Sequence, residues 1–160
     1  LRLDDRELRD GDLVTIDFGA HMRGFNSDCT RTYVVGTAND FAKEIYDVVL
    51  RAQQAGVEAA VAGTSLSDVD AACRNVIADA GYGDYFVHST GHGVGLDVHE
   101  APFAATTGKG ELAPGMTLTI EPGIYVPGKG GVRIEDTLII TDGAPKIITA
   151  ASKDFTELPA

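Results

Sequence analysis

The stretch "VTIDFG" at residues 14–19 has the apolar, β-branched pattern of a buried strand, yet it carries the carboxylate of Asp17 in its middle. Burying an unpaired carboxylate costs several kcal/mol, so this strand needs a partner for the charge. The same pattern returns at residues 118–123 as "LTIEPG", where Glu121 stands in the place of Asp17. Two matching strands with matching acids predict an internal duplication around a shared charged site.

The match extends beyond these six residues. "GDLVTIDFG" at residues 11–19 aligns with "GMTLTIEPG" at residues 115–123 at a constant offset of 104 residues. Turn-prone residues and β-branched or aromatic runs follow both segments, which is typical of a hairpin. We therefore predict two hairpins, with strands at residues 12–18 and 25–35 and at residues 116–126 and 131–140.

Each predicted hairpin carries two acids. The first strands supply Asp17 and Glu121, and the second strands return with Asp28 in "SDCTRT" and Glu135 in "RIEDTL". Two hairpins related by a pseudo-twofold axis bring all four carboxylates to the place where they meet. Four acids packed together repel one another unless cations neutralise them, so the pattern predicts a cation site.

The segment between the hairpins predicts two amphipathic helices. The first is capped at Asn39 or Asp40 and stops at Gly63, and the second starts with a capping arrangement of Ser67 and Asp70. Further predictions are a short strand at "YFVH" (residues 85–88), a glycine-rich loop at residues 89–95 and a C-terminal tail at residues 151–160. The fold class is therefore α+β.

The two copies are unequal in what precedes them. Two helices and a histidine-bearing strand, about 75 residues, precede the second hairpin, whereas only ten residues precede the first. We expect residues 1–160 to be a partial catalytic domain that lacks its N-terminal part, with an upstream segment or N-terminal domain elsewhere. Such a chain should be weakly active alone and should expose apolar surface.

Composition narrows the classes of partner. The chain has 160 residues, a net charge of −11 and 44% hydrophobic residues, which suits one globular domain and disfavours nucleic acid or an anionic membrane as a partner. The chain shows neither an apolar run of 18 residues nor a signal-peptide pattern. Cys29 and Cys73 make no disulfide framework in a chain of this size, so we predict reduced thiols and a cytoplasmic protein.

A histidine completes the donor set. His92, in "HSTGHGVGLDVHE", can supply a nitrogen ligand, and two divalent ions balance four carboxylates. Oxygen donors with one imidazole suit Mn²⁺, which we favour, and also Co²⁺, Fe²⁺ or Zn²⁺. Two such ions lower the pKa of a shared water and favour hydrolysis of a carbonyl compound.

These motifs resemble one family. The set "IDFG", "SDCTRT", "GHGVGLDVHE", "EPGIY" and "RIEDT" is similar to the pita-bread dinuclear metallopeptidases, which include methionine aminopeptidases, aminopeptidase P and prolidase. The resemblance covers about residues 10–141 and implies a pseudo-twofold pita-bread fold. It also implies five metal ligands, which are Asp17, Asp28, His92, Glu121 and Glu135.

The resemblance further implies a role for each ligand. Asp17 would chelate one ion, Asp28 and Glu135 would bridge both, and His92 with Glu121 would complete the other. Glu121 would also carry the proton, and a second histidine, His99, would stabilise the tetrahedral intermediate. Family members have a further histidine from the part upstream of this chain, so the site predicted here is incomplete.

Two residues outside the ligand set favour a proline-specific branch. In the family, a histidine at the position of His88 and an arginine at the position of Arg133 mark aminopeptidase P and prolidase, where they line the pocket for proline. An imidazole and a guanidinium can bind the carbonyl or carboxylate after the scissile bond. The predicted substrate is a proline-containing peptide, and methionine aminopeptidase is the alternative.

Other interpretations stay open. Arg133 can instead pair with a nearby acid such as Asp136, and His88 can merely end a strand. Some relatives on this fold are silent binding modules, and creatinase is a metal-independent hydrolase, but the intact acids argue against both. His21 is predicted to be a solvated loop residue and Cys29 to pack in the core. A homodimer is compatible with the sequence.

Overall fold

The first predicted hairpin is confirmed. In the computed structural model, which describes residues 6–160, β1 (Leu13–Phe18) pairs antiparallel with β4 (Cys29–Val35). The tip of the hairpin consists of β2 (His21–Met22) and β3 (Phe25–Asn26), which also pair antiparallel. The long and short ladders together form one bent hairpin, and its bend lies beside the two acids.

The first predicted helix is confirmed, although it ends early. α1 (Asp40–Ala59) is capped by Asn39, whose side chain accepts a hydrogen bond from the backbone N–H of Ala42. The helix ends before Gly63, which lies in the following turn with a φ of +88°.

The second helix has a different cap from the one we predicted. α2 (Leu66–Asp79) is capped by Ser65, whose side chain accepts a hydrogen bond from a backbone N–H of the first turn. The predicted pair of Ser67 and Asp70 is therefore wrong. Asp70 is 1% exposed and faces the protein interior, where Arg74 on the next turn pairs with it.

The predicted strand over residues 85–88 is also wrong. A 3-10 turn (Gly83–Tyr85) follows α2, and residues 86–89 belong to no helix or strand. The carbonyl groups of Phe86 and His88 accept hydrogen bonds from the side chain of Arg74. These carbonyls are therefore satisfied without a strand ladder.

The predicted glycine-rich loop at residues 89–95 contains a strand. β5 (Gly91–Gly93) pairs with β6 (Glu100–Ala104) across an irregular register. A Cβ at Gly91 would overlap the carbonyl of Thr119, so glycine lets this strand approach the second hairpin closely. The glycines thus serve packing rather than a loop conformation.

The second predicted hairpin is confirmed and has the same bent form as the first. β7 (Thr117–Ile120) pairs with β10 (Asp136–Ile139), and β8 (Gly123–Val126) pairs with β9 (Gly130–Arg133) at the tip. In both copies the acids stand at the ends of the long ladder. Asp17 is the second-last residue of β1 and Glu121 directly follows β7, while Asp28 and Glu135 directly precede β4 and β10.

The C-terminal segment lies against the sheets rather than projecting as a tail. β11 (Lys146–Ile147) extends the β7–β10 sheet, and β12 (Glu157–Leu158) pairs in parallel with β4. Between them, the ring of Phe155 packs edge-on against Tyr46 of α1 with ring centroids 5.0 Å apart. Within residues 6–160, no helix combines the length and the apolar composition needed to cross a bilayer.

The core lies between the two helices and the second hairpin. Buried side chains of α1 and α2 pack against buried side chains of the hairpin, including Leu118, Ile120 and Leu138. Gly56 of α1 lets Ile120 approach, because a Cβ there would lie 2.7 Å from the Cγ2 of that isoleucine. The helix pair therefore covers one face of the second copy.

The equivalent face of the first copy is open, so the prediction that β1 is buried is wrong for this chain. Ile16 and Phe18 are 42% and 49% exposed, whereas Ile120, the counterpart of Ile16, is fully buried. Among residues 6–160, the first copy has no helices that correspond to α1 and α2, so no helix pair covers β1. The exposure of this face follows from the unequal copies.

This open face gives a first testable expectation. Residues 1–160 purified alone should bind an apolar dye and self-associate, because Ile16 and Phe18 offer adjacent apolar surface. Changing both to Gln should reduce dye binding without unfolding the chain. The matched changes at Leu118 and Ile120 should unfold it, since burying each amide costs about 1–3 kcal/mol on top of the lost packing. Dye binding unchanged by the Ile16 and Phe18 substitutions would contradict this assignment.

Candidate metal centre

The four predicted acids and His92 meet where the two hairpins touch. Glu135 is tied to β4 through its backbone N–H, which donates to the carbonyl of Thr30 at 3.1 Å, and Thr137 donates to the carbonyl of Asp28 at 2.8 Å. The predicted convergence of the hairpins is thus present in the structure. The bends of both hairpins turn their acids towards the same space.

The donor atoms form two groups that share one residue. Oxygens of Asp17, Asp28 and Glu135 lie within 4.8 Å of one another, and so do donor atoms of His92, Glu121 and Glu135. A third group joins Asp28 and His92 with His99. Glu135 therefore lies between the first two groups, as a residue that contacts two cations must.

Glu135 has the clearest unmet need for a cation. It is 1% exposed, its Oε2 accepts a hydrogen bond from Thr30 at 2.6 Å, and its Oε1 is buried without a hydrogen-bond partner. Burial, and then the charges of Glu121, Asp28 and Asp17, raise the pKa of Glu135 to about 8 despite that hydrogen bond. A bound cation would satisfy the orphaned oxygen and reverse this shift.

The pKa of Asp28 is also raised, as that of Glu135 is. Asp28 is 8% exposed, and burial followed by repulsion from Asp17 and Glu121 raises its pKa. The nearest positive candidate is His92, whose Nε2 lies 3.6 Å from Oδ2 of Asp28. The donor set thus holds more negative charge than its surroundings neutralise, which fits divalent cations.

His92 presents the correct nitrogen to this space. Its Nδ1 donates to the carbonyl of Gly93 at 3.0 Å, so in the neutral ring the lone pair is on Nε2, which lies 3.1 Å from Oε1 of Glu121. Burial alone lowers the pKa of His92, but the contacts with Glu121 and Gly93 and the charge of Asp28 outweigh it and raise the pKa to about 9.

Two threonines, to which we assigned no role from the sequence, orient the carboxylates. Thr119 donates to Oε1 of Glu121 at 2.9 Å and accepts a hydrogen bond from the backbone N–H of His92. Thr30 holds Glu135 in the same way. Thr119 belongs to the duplicated pattern, so its recurrence was the available signal.

Asp17 is the most open member of the set. Its side chain is 55% exposed and accepts a hydrogen bond from Nη2 of Arg133 at 2.7 Å. Arg133 therefore pairs with a nearby acid, as the alternative interpretation held, but that acid is Asp17. Asp136 pairs with Arg31 and Lys153 instead.

The two residues predicted to bind substrate lie side by side. Nη1 of Arg133 donates to the hydroxyl of Tyr125 at 3.0 Å, and that hydroxyl lies 2.9 Å from Nε2 of His88. Because Nδ1 of His88 donates to the carbonyl of Ser89, the neutral ring accepts from Tyr125. Tyr125 is a residue we missed, although it closes the "EPGIY" motif.

The remaining histidines are exposed, whereas both cysteines are buried. His99 is exposed and its ring centroid lies 4.3 Å from that of His92. His21 is exposed, as predicted, but it lies in β2 rather than in a loop and contacts Asn26 of its own hairpin. Cys29 and Cys73 are buried and unpaired, and burial raises the pKa of both thiols, for Cys73 to about 12.

Comparison with known proteins gives consistent matches. The model of "Metallopeptidase family M24" matches residues 2–142. A relative named Xaa-Pro dipeptidase, from Pyrococcus horikoshii, is 51% identical over 151 residues, which is 94% of this chain. Among solved structures, the Xaa-Pro dipeptidase from Bacillus anthracis has a TM-score of 0.95 at 49% identity over 97% of this chain. The X-Pro aminopeptidase from Thermotoga maritima has a TM-score of 0.93 at 35% identity, also over 97%.

The chain spans less than half of each of these proteins. It covers 43% of the Pyrococcus horikoshii relative and 44% of each of the two solved chains. The matched part nevertheless includes both hairpins, the helices between them and every donor residue described above.

Proposed function

The chain belongs to metallopeptidase family M24, whose pita-bread fold it shares, and we propose that the full protein hydrolyses peptide bonds that precede proline. The observation that carries this proposal is the pair of donor groups joined at Glu135, with His88, Tyr125 and Arg133 beside them. The relatives named Xaa-Pro dipeptidase favour a dipeptidase over an aminopeptidase.

We assign two divalent cations to the two donor groups. Asp17, Asp28 and Glu135 would hold one, and His92, Glu121 and Glu135 would hold the other. Asp28, whose Oδ2 lies 3.6 Å from Nε2 of His92, would be a second ligand shared by both. The orphaned Oε1 of Glu135 and the raised pKa of Asp28 support this fit. We favour Mn²⁺, with Co²⁺, Zn²⁺ and Fe²⁺ as alternatives that oxygen donors and one imidazole also accept. When bound, the ions would supply an activated water and polarise the scissile carbonyl.

Two residues of the chain would move or hold protons. Glu121 stands at the edge of the donor set, half-buried, with its Oε1 fixed by Thr119 and its Oε2 3.9 Å from Arg133. It would take the proton of the attacking water and deliver it to the leaving nitrogen. His99, exposed beside His92, would donate a hydrogen bond to the carbonyl oxygen as negative charge develops there.

The group of His88, Tyr125 and Arg133 would receive the proline side of the substrate. An Xaa-Pro amide has no N–H, so recognition must come from ring packing and from groups that bind the carbonyl or carboxylate of proline. Arg133 offers a guanidinium fork for a carboxylate, and the hydrogen-bonded chain from Arg133 through Tyr125 to His88 orients both ends.

The site of action is proposed as the cytoplasm. Its support is the pair of buried, unpaired cysteines, which is typical of a reducing compartment. A homodimer stays a prediction that light scattering of the full-length protein can test.

A substrate comparison tests the proposed function. The full-length protein, loaded with Mn²⁺, should cleave Xaa-Pro dipeptides faster than longer Xaa-Pro peptides and much faster than Met-Ala-Ser. Arg133→Met should lower kcat/KM for the dipeptide by about 10- to 150-fold, because a charge-assisted hydrogen bond to the substrate carboxylate is worth about 1.5–3 kcal/mol.

Each other outcome indicates a different function. Preference for longer peptides would indicate an aminopeptidase P, and faster cleavage of Met-Ala-Ser would overturn the proline assignment. A full-length protein that binds the cations but cleaves none of the three peptides would indicate a silent binding module. Arg51→Met serves as the matched control, because this arginine pairs with Asp47 on the exposed face of α1.

A further inference from the structure

Arg74 makes more contacts than a helix ion pair requires. On α2, its Nε donates to Oδ2 of Asp70 at 2.8 Å and its Nη2 to Oδ1 at 3.0 Å. The same guanidinium donates to the carbonyls of Phe86 at 2.9 Å and His88 at 3.0 Å, and it lies 4.2 Å from the centroid of the Phe86 ring. Arg74 thus joins α2 to the segment that carries His88.

Asp70 extends this connection to Thr90. It is 1% exposed, and besides Arg74 its Oδ1 accepts from the hydroxyl of Thr90 at 2.9 Å and from the backbone N–H of Thr90 at 3.2 Å. The carbonyl of Thr90 in turn accepts from the backbone N–H of Glu121 at 2.8 Å. We name Asp70, Arg74 and Thr90 the α2 clamp.

The clamp holds a stretch near the site that lacks regular structure. Residues 86–89 lie between the 3-10 turn and β5, so neither a helix nor a ladder fixes the backbone of His88. The His88 ring makes its own contacts with Ser89, Tyr125 and the Phe86 ring. The position of that ring therefore depends on a backbone that Arg74 secures at both ends.

A pair at the same spacing elsewhere shows what a purely local role involves. Asp47 and Arg51 on α1 are also four residues apart, but both side chains are more than half exposed, and the recorded contact joins only the two of them. The α2 clamp instead buries its carboxylate and uses its guanidinium on two carbonyls of another segment. This difference indicates a task beyond helix stability.

We propose that Asp70 and Arg74 are positioning residues that set the orientation of His88 in the substrate pocket. They act through the backbone of residues 86–90 and contact no substrate themselves. The proposal rests on the proposed function only for the identity of the substrate. It extends the specificity machinery from the metal centre to the buried face of α2.

Kinetics of the full-length, metal-loaded protein give the first test. Arg74→Met should lower kcat/KM for an Xaa-Pro dipeptide by about 10- to 100-fold, the range typical of residues that orient a functional group, mainly through a higher KM and with unchanged metal content. Arg74→Lys keeps the charge but not the fork, so it should recover part of the loss. Arg51→Met should behave like the wild type.

A double-mutant cycle separates positioning from general stability. In a His88→Ala background, adding Arg74→Met should lower kcat/KM by less than about twofold, because the group it positions is gone. Losses that multiply in full would overturn the proposal. If Arg74→Met does not fold, the same cycle is run with Arg74→Lys and judged by the same criterion.

Ring ¹⁵N signals of His88 test the clamp without any substrate. The wild type should show one ring state with Nδ1 protonated, Arg74→Met should shift or broaden it, and Arg51→Met should not. An unchanged His88 spectrum in Arg74→Met would overturn the proposal. A changed spectrum in a protein that cleaves no Xaa-Pro peptide would uphold the clamp and reject the proposed function, so the two failures are distinguishable.

Discussion

Glu135→Gln should remove bound metal from both donor groups and nearly abolish hydrolysis. The side chain keeps its size and its contact with Thr30, but it loses the charge that both groups share. Changes to residues that only orient metal ligands typically cost about 10- to 100-fold, so a ligand shared by two cations should cost at least about 1000-fold in turnover. Elemental analysis of the full-length variant after Mn²⁺ loading, together with kcat for an Xaa-Pro dipeptide, measures both effects.

The pH dependence of the free energy of unfolding tests whether Glu135→Gln loses metal and activity without unfolding. Without metal, the pKa of Glu135 is raised from 4.5 to about 8, so its folded state holds a proton that the unfolded chain releases. Its stabilising contribution is therefore complete below about pH 4.5 and is lost as the pH rises through about 8. Metal-free Glu135→Gln should lose part of this slope while remaining folded. Glu58→Gln, at an exposed position of α1, should match the wild type in stability and metal content. Full metal content in Glu135→Gln would contradict the assignment of Glu135 as a shared ligand.

The duplication explains why so much of the site was predictable from the sequence. Asp17 and Glu121 recur in matching strands, and a repeated carboxylate in an apolar strand has few purely structural explanations. Hairpin pairing then places Asp28 and Glu135 directly before the returning strands β4 and β10, opposite the ends of the first strands. Period-two alternation and turn residues are local signals, and both hairpins are built from them.

The wrong predictions, the strand at residues 85–88 and the cap at Asp70, concern places where a distant side chain makes the hydrogen bonds that we assigned to local secondary structure. The aromatic and β-branched residues at 85–88 favour a strand, but Arg74, which lies 12 and 14 residues earlier in the chain, binds the carbonyls of Phe86 and His88. Asp70 resembled part of a cap, and only tertiary structure shows it buried against Thr90. Long-range hydrogen bonds of this kind leave no periodic signal in one sequence, so helix and strand rules cannot find them.

The buried state of β1 could not be predicted for a different reason. Its sequence describes a covered strand, and its counterpart Ile120 is fully buried, yet Ile16 remains 42% exposed. An apolar pattern indicates that a strand is covered in the folded protein, but the element that covers it need not lie in the same stretch of chain. The contrast between the two copies is the physical sign that the first lacks its helical cover among residues 6–160.

Arg31→Met should cause a large loss of stability, about 3–5 kcal/mol, the cost typical of breaking a buried ion pair from one side. Arg31 and Asp136 are each 1% exposed, and the two side chains are joined at 2.8 Å. Arg31 also donates to the carbonyls of Thr30 and Ala151 at 2.8 Å and 2.7 Å. The substitution would leave these buried acceptors unpaired and would detach the C-terminal segment from β4.

Lys153 prevents the loss from being larger, because it also pairs with Asp136, at 2.5 Å, and keeps that carboxylate partly neutralised. Urea unfolding of the full-length protein measures the difference, with Arg51→Met as the control. That arginine belongs to an exposed pair, for which a change of no more than about 0.5 kcal/mol is expected. Arg31→Lys should fall between the two, because an ammonium group retains the charge but cannot reach Asp136 and both carbonyls together. If Arg31→Met and Arg51→Met unfold at the same urea concentration, Arg31 does not hold the C-terminal segment in place, and the β12–β4 ladder together with the packing of Phe155 against Tyr46 must do so instead.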